Sequence, residues 1–312
     1  MRDPNIKVSV MMVTYNHGKY IEQAIQSVLS QNTDFKYELL IGEDCSTDCT
    51  REIAERYQRK YPHTIRIVKH NKNVGALKNE AELRQRCRGQ YIAVLEGDDY
   101  WTYPDKLKWQ VEFLDQHPEY IGVAHNVKVV GENGEKLPYR LQGFHREKEH
   151  VYTRKNALQF QMIGHLSGWM YRNIWDSLSQ KELLKIRKCE VNSDLKLSIV
   201  LGLKGDFYFQ KDEWSVYRRR FEGDGWSAQA VKMNMTLYHF ERDVRLKRFL
   251  LECYGEKIDI EEKLLGYIFQ GFIEFKNHPS KGTWSILVKM FRSGEIRKRV
   301  IVRYIIKRLL RA

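Results

Sequence analysis

Nothing in this 312-residue chain approaches the roughly 18 consecutive apolar residues that cross a bilayer as a helix. The start, Met1-Arg2-Asp3-Pro4-Asn5, carries no signal-peptide pattern and leads straight into an apolar strand. Cysteine is scarce: five residues, at 45, 49, 87, 189 and 253, an odd number without framework spacing. Reduced thiols and a cytoplasmic setting are therefore expected. Cys45 and Cys49 are close, but no second pair or nearby histidine completes a zinc site. No glycine-rich dinucleotide fingerprint follows the first strand, and there is no Walker-type phosphate loop. Those two absences argue against a dehydrogenase and an ATPase. Internal repeats and low-complexity linkers are missing too.

What the chain does have is positive charge. Its formal net charge is +13, while 42% hydrophobic and 30% charged residues are ordinary for a globular protein. The excess predicts an anionic partner, whether nucleic acid, anionic lipid or a phosphorylated substrate. The length allows one large domain or one domain with an appendage.

Strand and helix patterns alternate four times at the start. Lys7 to Thr14, Tyr37 to Gly42, Ile65 to Lys69 and Tyr91 to Leu95 read as strands. Lys19 to Gln31, Thr50 to Lys60 and Ala76 to Cys87 read as the helices between them. This order predicts an α/β, Rossmann-like, mostly parallel sheet flanked by helices. Further along, a helix is expected over Asp105 to Gln116, strands over Ile121 to Val130, Leu166 to Tyr171 and Asp206 to Phe209, and a loop over 139–152. Thr153 should cap a helix to Met162, and a short helix should begin at Asp194. The pattern becomes helical from about residue 228, which divides the chain into 1–227 and 228–312.

Three strand ends meet on one edge of such a sheet: Thr14-Tyr15-Asn16, Glu43-Asp44 and Glu96-Gly97-Asp98-Asp99. That edge is where open α/β sheets bind ligands. Two adjacent carboxylates repel each other unless a cation sits by them, and hard oxygen ligands suit Mg2+ or Mn2+ shared with substrate phosphates. The set would hold a nucleotide. Tyr15 can stack on the base, Asp44 can accept from a base N–H, Asp98 can hold ribose or metal, and Asp99 the metal that bridges a diphosphate. Glu96 is expected to position these groups.

Four segments together carry a family resemblance: Val8 to Asn16, Ile25 to Gln31, Glu43 to Asp48, and Gly89 to Ile92 leading into Glu96-Gly97-Asp98-Asp99-Tyr100-Trp101. They resemble glycosyltransferase family 2, with its GT-A fold. The resemblance implies inverting transfer of a sugar from a nucleotide-diphosphate donor, a UDP-sugar being the expected one. It implies Thr14 and Tyr15 lining the base pocket, Asp44 on the base, Asn79 facing the nucleotide, Asp98 on ribose or metal, and Asp99 as ligand to Mn2+ or Mg2+. It also implies an aspartate general base from a helix start downstream, best matched by Asp194, with Asp176 the weaker match. Two departures stand out: Ser193 replaces the Glu or Thr common before that aspartate, and the histidine common after a Tyr-Arg pair is missing beyond Tyr217-Arg218. Arg218 to Arg220 are then candidates for neutralising the diphosphate, and Gly223 to Ser227 for a loop closing over the donor. Donor discrimination is expected in 139–152 and 219–227. His165, in Gly164-His165-Leu166-Ser167-Gly168-Trp169, precedes a strand expected to border the acceptor site, and reads as an ordinary polar residue or, alternatively, a catalytic one.

Residues 281–312 hold ten Lys or Arg against the single acid Glu295. From Ile296 on, a helical wheel puts Ile301, Val302, Ile305, Ile306, Leu309 and Leu310 on one side and Arg303, Lys307, Arg308 and Arg311 on the other. This suits an interfacial helix on an anionic membrane through 296–312. Nucleic acid is not expected, because the basic residues lack interleaved stacking aromatics. The expectation is thus an enzyme, peripheral on the inner membrane face, extending a cell-surface glycan or lipid-linked saccharide. The alternative is an inactive nucleotide-sugar-binding module anchored by its tail.

Overall fold

The computed structural model describes residues 2–137, 145–191, 193–220 and 226–310. The first half alternates as its sequence demands: β1 (Val8–Thr14), α1 (Ile21–Leu29), β2 (Tyr37–Glu43), α2 (Thr50–Lys60), β3 (Ile65–Lys69), α3 (Ala76–Arg86) and β4 (Tyr91–Glu96). The short β5 (Tyr100–Trp101), α4 (Lys106–Gln116), β6 (Tyr120–Val130), β7 (His150–Tyr152), α5 (Arg154–Leu158) and β8 (Met170–Arg172) follow. Then come α6 (Gln180–Lys188), α7 (Ser193–Gly202) and β9 (Asp206–Arg218). The remainder is helical: α8 (Trp226–Lys232), α9 (Met235–Tyr254), α10 (Glu261–Asn277), α11 (Lys281–Arg292) and α12 (Lys298–Leu309).

Two compact units result. One comprises Met1–Ser179 with Asn192–Arg220, the other Gln180–Val191 with Phe221–Ala312. The first unit is built on a nine-stranded mixed sheet in the order β3-β2-β1-β4-β8-β6-β9-β5, with β7 also on β9. The β3–β4 half is parallel. β8 runs antiparallel to β4 and β6, while β6 and β9 pair in parallel.

β1 is central, so both its faces must be apolar. Val8, Val10 and Met12 join Ile21, Ala24, Ile25 and Val28 of α1 and Leu39 and Ile41 of β2 in one buried cluster. Met11 and Leu40, on the alternate positions, are equally buried. Each such side chain contributes roughly 1.5–3 kcal/mol on burial. Pairing places Thr14 beside Glu43 and Val13 beside Glu96, so the three strand ends do lie side by side.

Several expectations change. The 139–152 stretch contains β7, three residues too few to show alternation, which pairs with β9 at Val151–Tyr208; residues 138–144 lie outside the described residues. The helix after Thr153 keeps its capping box but ends at Leu158, because Phe160 adopts a left-handed φ of 59°. Leu166–Gly168 is a single 3-10 turn, and only Met170–Arg172 is strand. β9 extends the expected Asp206 to Phe209 strand as far as Arg218.

The helical unit buries Phe240, Leu246, Leu250, Leu264, Ile268, Leu287, Met290, Ile296 and Ile301. Gly255 closes α9 with a φ of 72°, a conformation that costs glycine little. Asp243 is fully buried in it, held by Arg242 at 2.7 Å, Lys263 at 2.8 Å and the Tyr267 hydroxyl at 3.0 Å.

Candidate active site

The site begins where β4 stops. Asp99 N–H donates to the Glu96 carbonyl at 3.1 Å, closing a tight turn that carries Gly97 and Asp98. Gly97 is required by close approach: a Cβ there would lie 2.6 Å from Thr14 Oγ1 and 2.8 Å from His17 Nδ1. Both of those atoms are buried and have no hydrogen-bond partner among the described residues. Buried polar atoms are rarely left so, and the pair marks a niche open to a ligand's polar groups.

The two aspartates have different surroundings. Asp98 accepts from Arg220 Nε at 2.9 Å and lies 3.5 Å from His17 Nε2. His17 Nε2 also accepts from Arg220 Nη2 at 3.0 Å, which leaves the ring proton on Nδ1. Burial lowers the His17 pKa, against the pull of Asp98. Asp99 is buried, accepting from the Arg218 backbone N–H at 2.9 Å and from the Ser167 hydroxyl.

Arg218, a candidate for neutralising a diphosphate, is buried and its guanidinium is engaged by the protein itself. It donates to the carbonyls of Asp98 at 3.1 Å and Glu132 at 3.0 Å and to Gln23 Oε1 at 2.9 Å, with its guanidinium over the Tyr20 ring at 4.8 Å. It clamps the acidic turn onto α1.

A third acid and a histidine complete the cluster. One ligand atom each from Glu96, Asp99 and His165 lie within 4.8 Å of one another. Burial raises the pKa of Glu96 well above the carboxylate range, and the negative charges of Asp98, Asp99 and Asp194 add to this. Burial, then the charge of Asp98, does the same to Asp99. Burial pushes His165 down to about 4, so its ring is neutral. The Glu96 carboxylate has no hydrogen bond or ion pair among the described residues. Two hard oxygens and a nitrogen around uncompensated negative charge fit a divalent cation. The approach of His165 to Asp99 was not foreseen from the sequence, because it arises only through the fold; the signal there was its place ahead of a strand.

The remaining candidates fall on the same edge. Asp44 is buried and accepts from the N–H groups of Val74 at 2.7 Å and Gly75 at 2.9 Å, so it shapes the wall of the niche. Asn16 and Cys45, just past β1 and β2, take left-handed φ values of 52° and 60°. Asn16 Oδ1 accepts from Thr47 N–H at 2.9 Å, tying the two loops together. Tyr15 is half-buried between them. Asn79 is buried, with its amide spent on the Gly42 carbonyl at 2.8 Å and His70 Nε2 at 3.2 Å; it braces α3 on β2. Asp194 opens α7, half-buried, its pKa raised by burial. Asp176 lies 3.8 Å from Arg2, near the start of β4 and away from the acidic turn. The Ser193 side chain and residues 223–225 lie outside the described residues, while Trp226 and Ser227 begin α8 rather than continuing a loop.

This combination, acids at the ends of parallel strands in a mixed sheet with a base candidate on a later helix, is the GT-A glycosyltransferase arrangement. The sequence profile of glycosyl transferase family 2 matches residues 9–173, and the chain belongs to that family. It is 40% identical over 107 residues to the putative teichuronic acid biosynthesis glycosyltransferase TuaG of Bacillus subtilis, covering 34% of this chain and 41% of TuaG. The chain spans about two fifths of the curated relatives it matches, 37% of a mycobacterial one and 41% of TuaG. The structure of Staphylococcus aureus TarS 1–349 with UDP-GlcNAc superposes with a TM-score of 0.61 at 18% identity, over 97% of this chain and 83% of that one. The mannosyltransferase PcManGT of Pyrobaculum calidifontis, with GDP-Man and Mn2+, gives 0.51 at 15%, over 100% and 88%.

Proposed function

We propose that the protein is a divalent-metal-dependent, inverting glycosyltransferase that moves a sugar from a nucleoside-diphosphate donor, UDP-linked, to a hydroxyl of a cell-surface glycan or lipid-linked saccharide. The observation that carries this reading is the convergence of the Thr14–Asp44 niche, the Asp98–Asp99 turn and Asp194 on one sheet edge. The base and ribose sit against Tyr15, Thr14 and Asp44, with Asn79 bracing that wall from behind. Asp98 contacts ribose or would join Asp99 in holding a divalent cation, and a cation held there would supply positive charge for the leaving diphosphate. Asp194 takes the proton of the acceptor hydroxyl as its oxygen attacks the anomeric carbon. The bond from that carbon to the diphosphate oxygen breaks on the opposite face, inverting the centre. The donors in the TarS and PcManGT structures support the donor class, and the TuaG name supports a surface polysaccharide. Incubation with Mn2+ and a panel of UDP-, GDP- and dTDP-sugars should release UDP and raise the melting temperature with one UDP-sugar. Donor binding without release from any sugar would leave only a nucleotide-sugar-binding module.

The helical tail supports placement at the cytoplasmic membrane face. Ile301 and Ile305 of α12 are buried, whereas Val302, Ile306, Leu309 and Leu310 are 40–83% exposed. Arg299, Arg303 and Lys307 flank that exposed stripe, and no acid lies within 296–312. No helix among the described residues is long and apolar enough to span a membrane. An apolar stripe bordered by cations suits the interface of an anionic bilayer. Changing Ile306 and Leu310 to Ser, which spares the buried Ile301 and Ile305, should abolish pelleting with phosphatidylglycerol vesicles without lowering the melting temperature. Unchanged pelleting would reject the anchor.

A further inference from the structure

We propose that His165 supplies a nitrogen ligand to the bound cation, alongside carboxylate oxygens of Glu96 and Asp99, so that the site selects Mn2+ over Mg2+. The cation's purpose rests on the glycosyltransferase reading; the ligand set rests on geometry alone.

Three ligand atoms within 4.8 Å of one another are close to what one ion requires. Ligands on opposite sides of an ion at about 2.1 Å stand ~4.2 Å apart, so closing the set takes shifts of a few tenths of an ångström. Each member is held by different neighbours. Asp99 is fixed by one donor on each oxygen, Arg218 N–H on Oδ1 and the Ser167 hydroxyl on Oδ2. A carboxylate has about four lone-pair sites, so both oxygens can still ligate. Glu96 carries the carboxylate without a partner among the described residues, in a cluster of like charge. His165 is positioned by the 3-10 turn it opens and by Tyr217, whose ring centroid lies 4.1 Å from its own.

The nitrogen involved can be named. Nδ1 accepts the Ser167 backbone N–H at 3.3 Å, a long bond, and stands 3.8 Å from Asp99 Oδ2. Accepting there puts the ring proton on Nε2, leaving the lone pair on the atom that faces the carboxylate. A cation taking that lone pair would displace the long Ser167 hydrogen bond. Asp98 is paired through one oxygen with Arg220 Nε at 2.9 Å and adds negative charge beside this set. A mixed oxygen–nitrogen set matters for ion choice. Mg2+ keeps all-oxygen octahedral shells, and an imidazole favours the transition-metal dications.

The test uses the full chain with Mn2+ alone. Electron spin-echo modulation should show directly bound nitrogen-14 in the wild type and none in His165→Gln. Mn2+ affinity should fall at least ~10-fold in His165→Gln, and the preference for Mn2+ over Mg2+ should shrink with it. Glu96→Gln serves as the second variant: weaker Mn2+ binding with the nitrogen signal retained. Absence of the nitrogen signal in the wild type, its persistence in His165→Gln through another ring such as His17, or no Mn2+ binding at millimolar concentration would each overturn the proposal. Sugar transfer with an oxygen-only Mn2+ shell would sink the ligand assignment and spare the enzyme reading. The nitrogen signal without nucleotide release from any donor would do the reverse.

Discussion

Changing Asp194 to Asn should cut kcat by about 10²–10⁴-fold, the usual worth of a positioned general base, while leaving donor affinity within about twofold. The side chain keeps its size and its place in the first turn of α7, so what is lost is the ability to take a proton. α7 is a firm mount: Leu195, Leu197, Ile199, Val200 and Leu201 are all buried, and Ser198 Oγ bonds back to the Asp194 carbonyl at 2.8 Å. Two effects compete at the carboxylate. The helix N-terminus favours its charged form by roughly 0.3–1 kcal/mol. Burial opposes that, and burial wins, because the pKa is raised overall. A raised pKa makes a carboxylate a stronger base than a free one. Burst measurement of nucleotide release, with donor affinity measured separately, would check this; an Asp194→Asn protein keeping more than a tenth of wild-type kcat would remove Asp194 from the role.

The parallel half of the fold was legible because its information is local. Val8 to Thr14 and Tyr91 to Leu95 are short apolar runs that stop at polar turns, and the helices between them carry apolar residues at helical spacing. Strand order follows from crossover handedness, so the meeting of Thr14, Glu43 and Glu96 could be expected before any coordinates. What escaped depends on contacts distant in sequence. Ser167 and His165 reach Asp99 across more than sixty residues, and nothing in Gly164-His165-Leu166 announces this. Arg218 reads as one of three arginines available to a diphosphate, yet its backbone N–H bonds Asp99 and its side chain the Asp98 carbonyl. The tail shows a subtler failure. A wheel puts six apolar residues of the last helix on one side, but cannot say that Ile301 and Ile305 meet protein while Val302 and Ile306 do not.

Arg218→Met should destabilise the protein by about 3–5 kcal/mol, even though methionine fills a similar volume. The guanidinium satisfies the carbonyls of Asp98 and Glu132 and the amide oxygen of Gln23, and it is 6% exposed. Truncation strands those three acceptors, each costing roughly 1–3 kcal/mol when left unmet. It also removes a cation whose charge lowers the Asp99 pKa and so offsets part of the repulsion within the acidic cluster. For a unit of this size the loss corresponds to a fall of roughly 6–20 °C in melting temperature. The informative companion is Arg218→Lys. It restores the charge but presents a single point donor in place of a planar fork, so it cannot span three acceptors from one position. If Arg218 acted mainly as a counter-charge, Lys would recover most of the stability; if it acts as a clamp, Lys should recover less than half. Urea melts of the three proteins decide between these. A Met variant melting within about a degree of wild type would mean that water replaces the clamp at little cost, and that the acidic turn holds its shape without it.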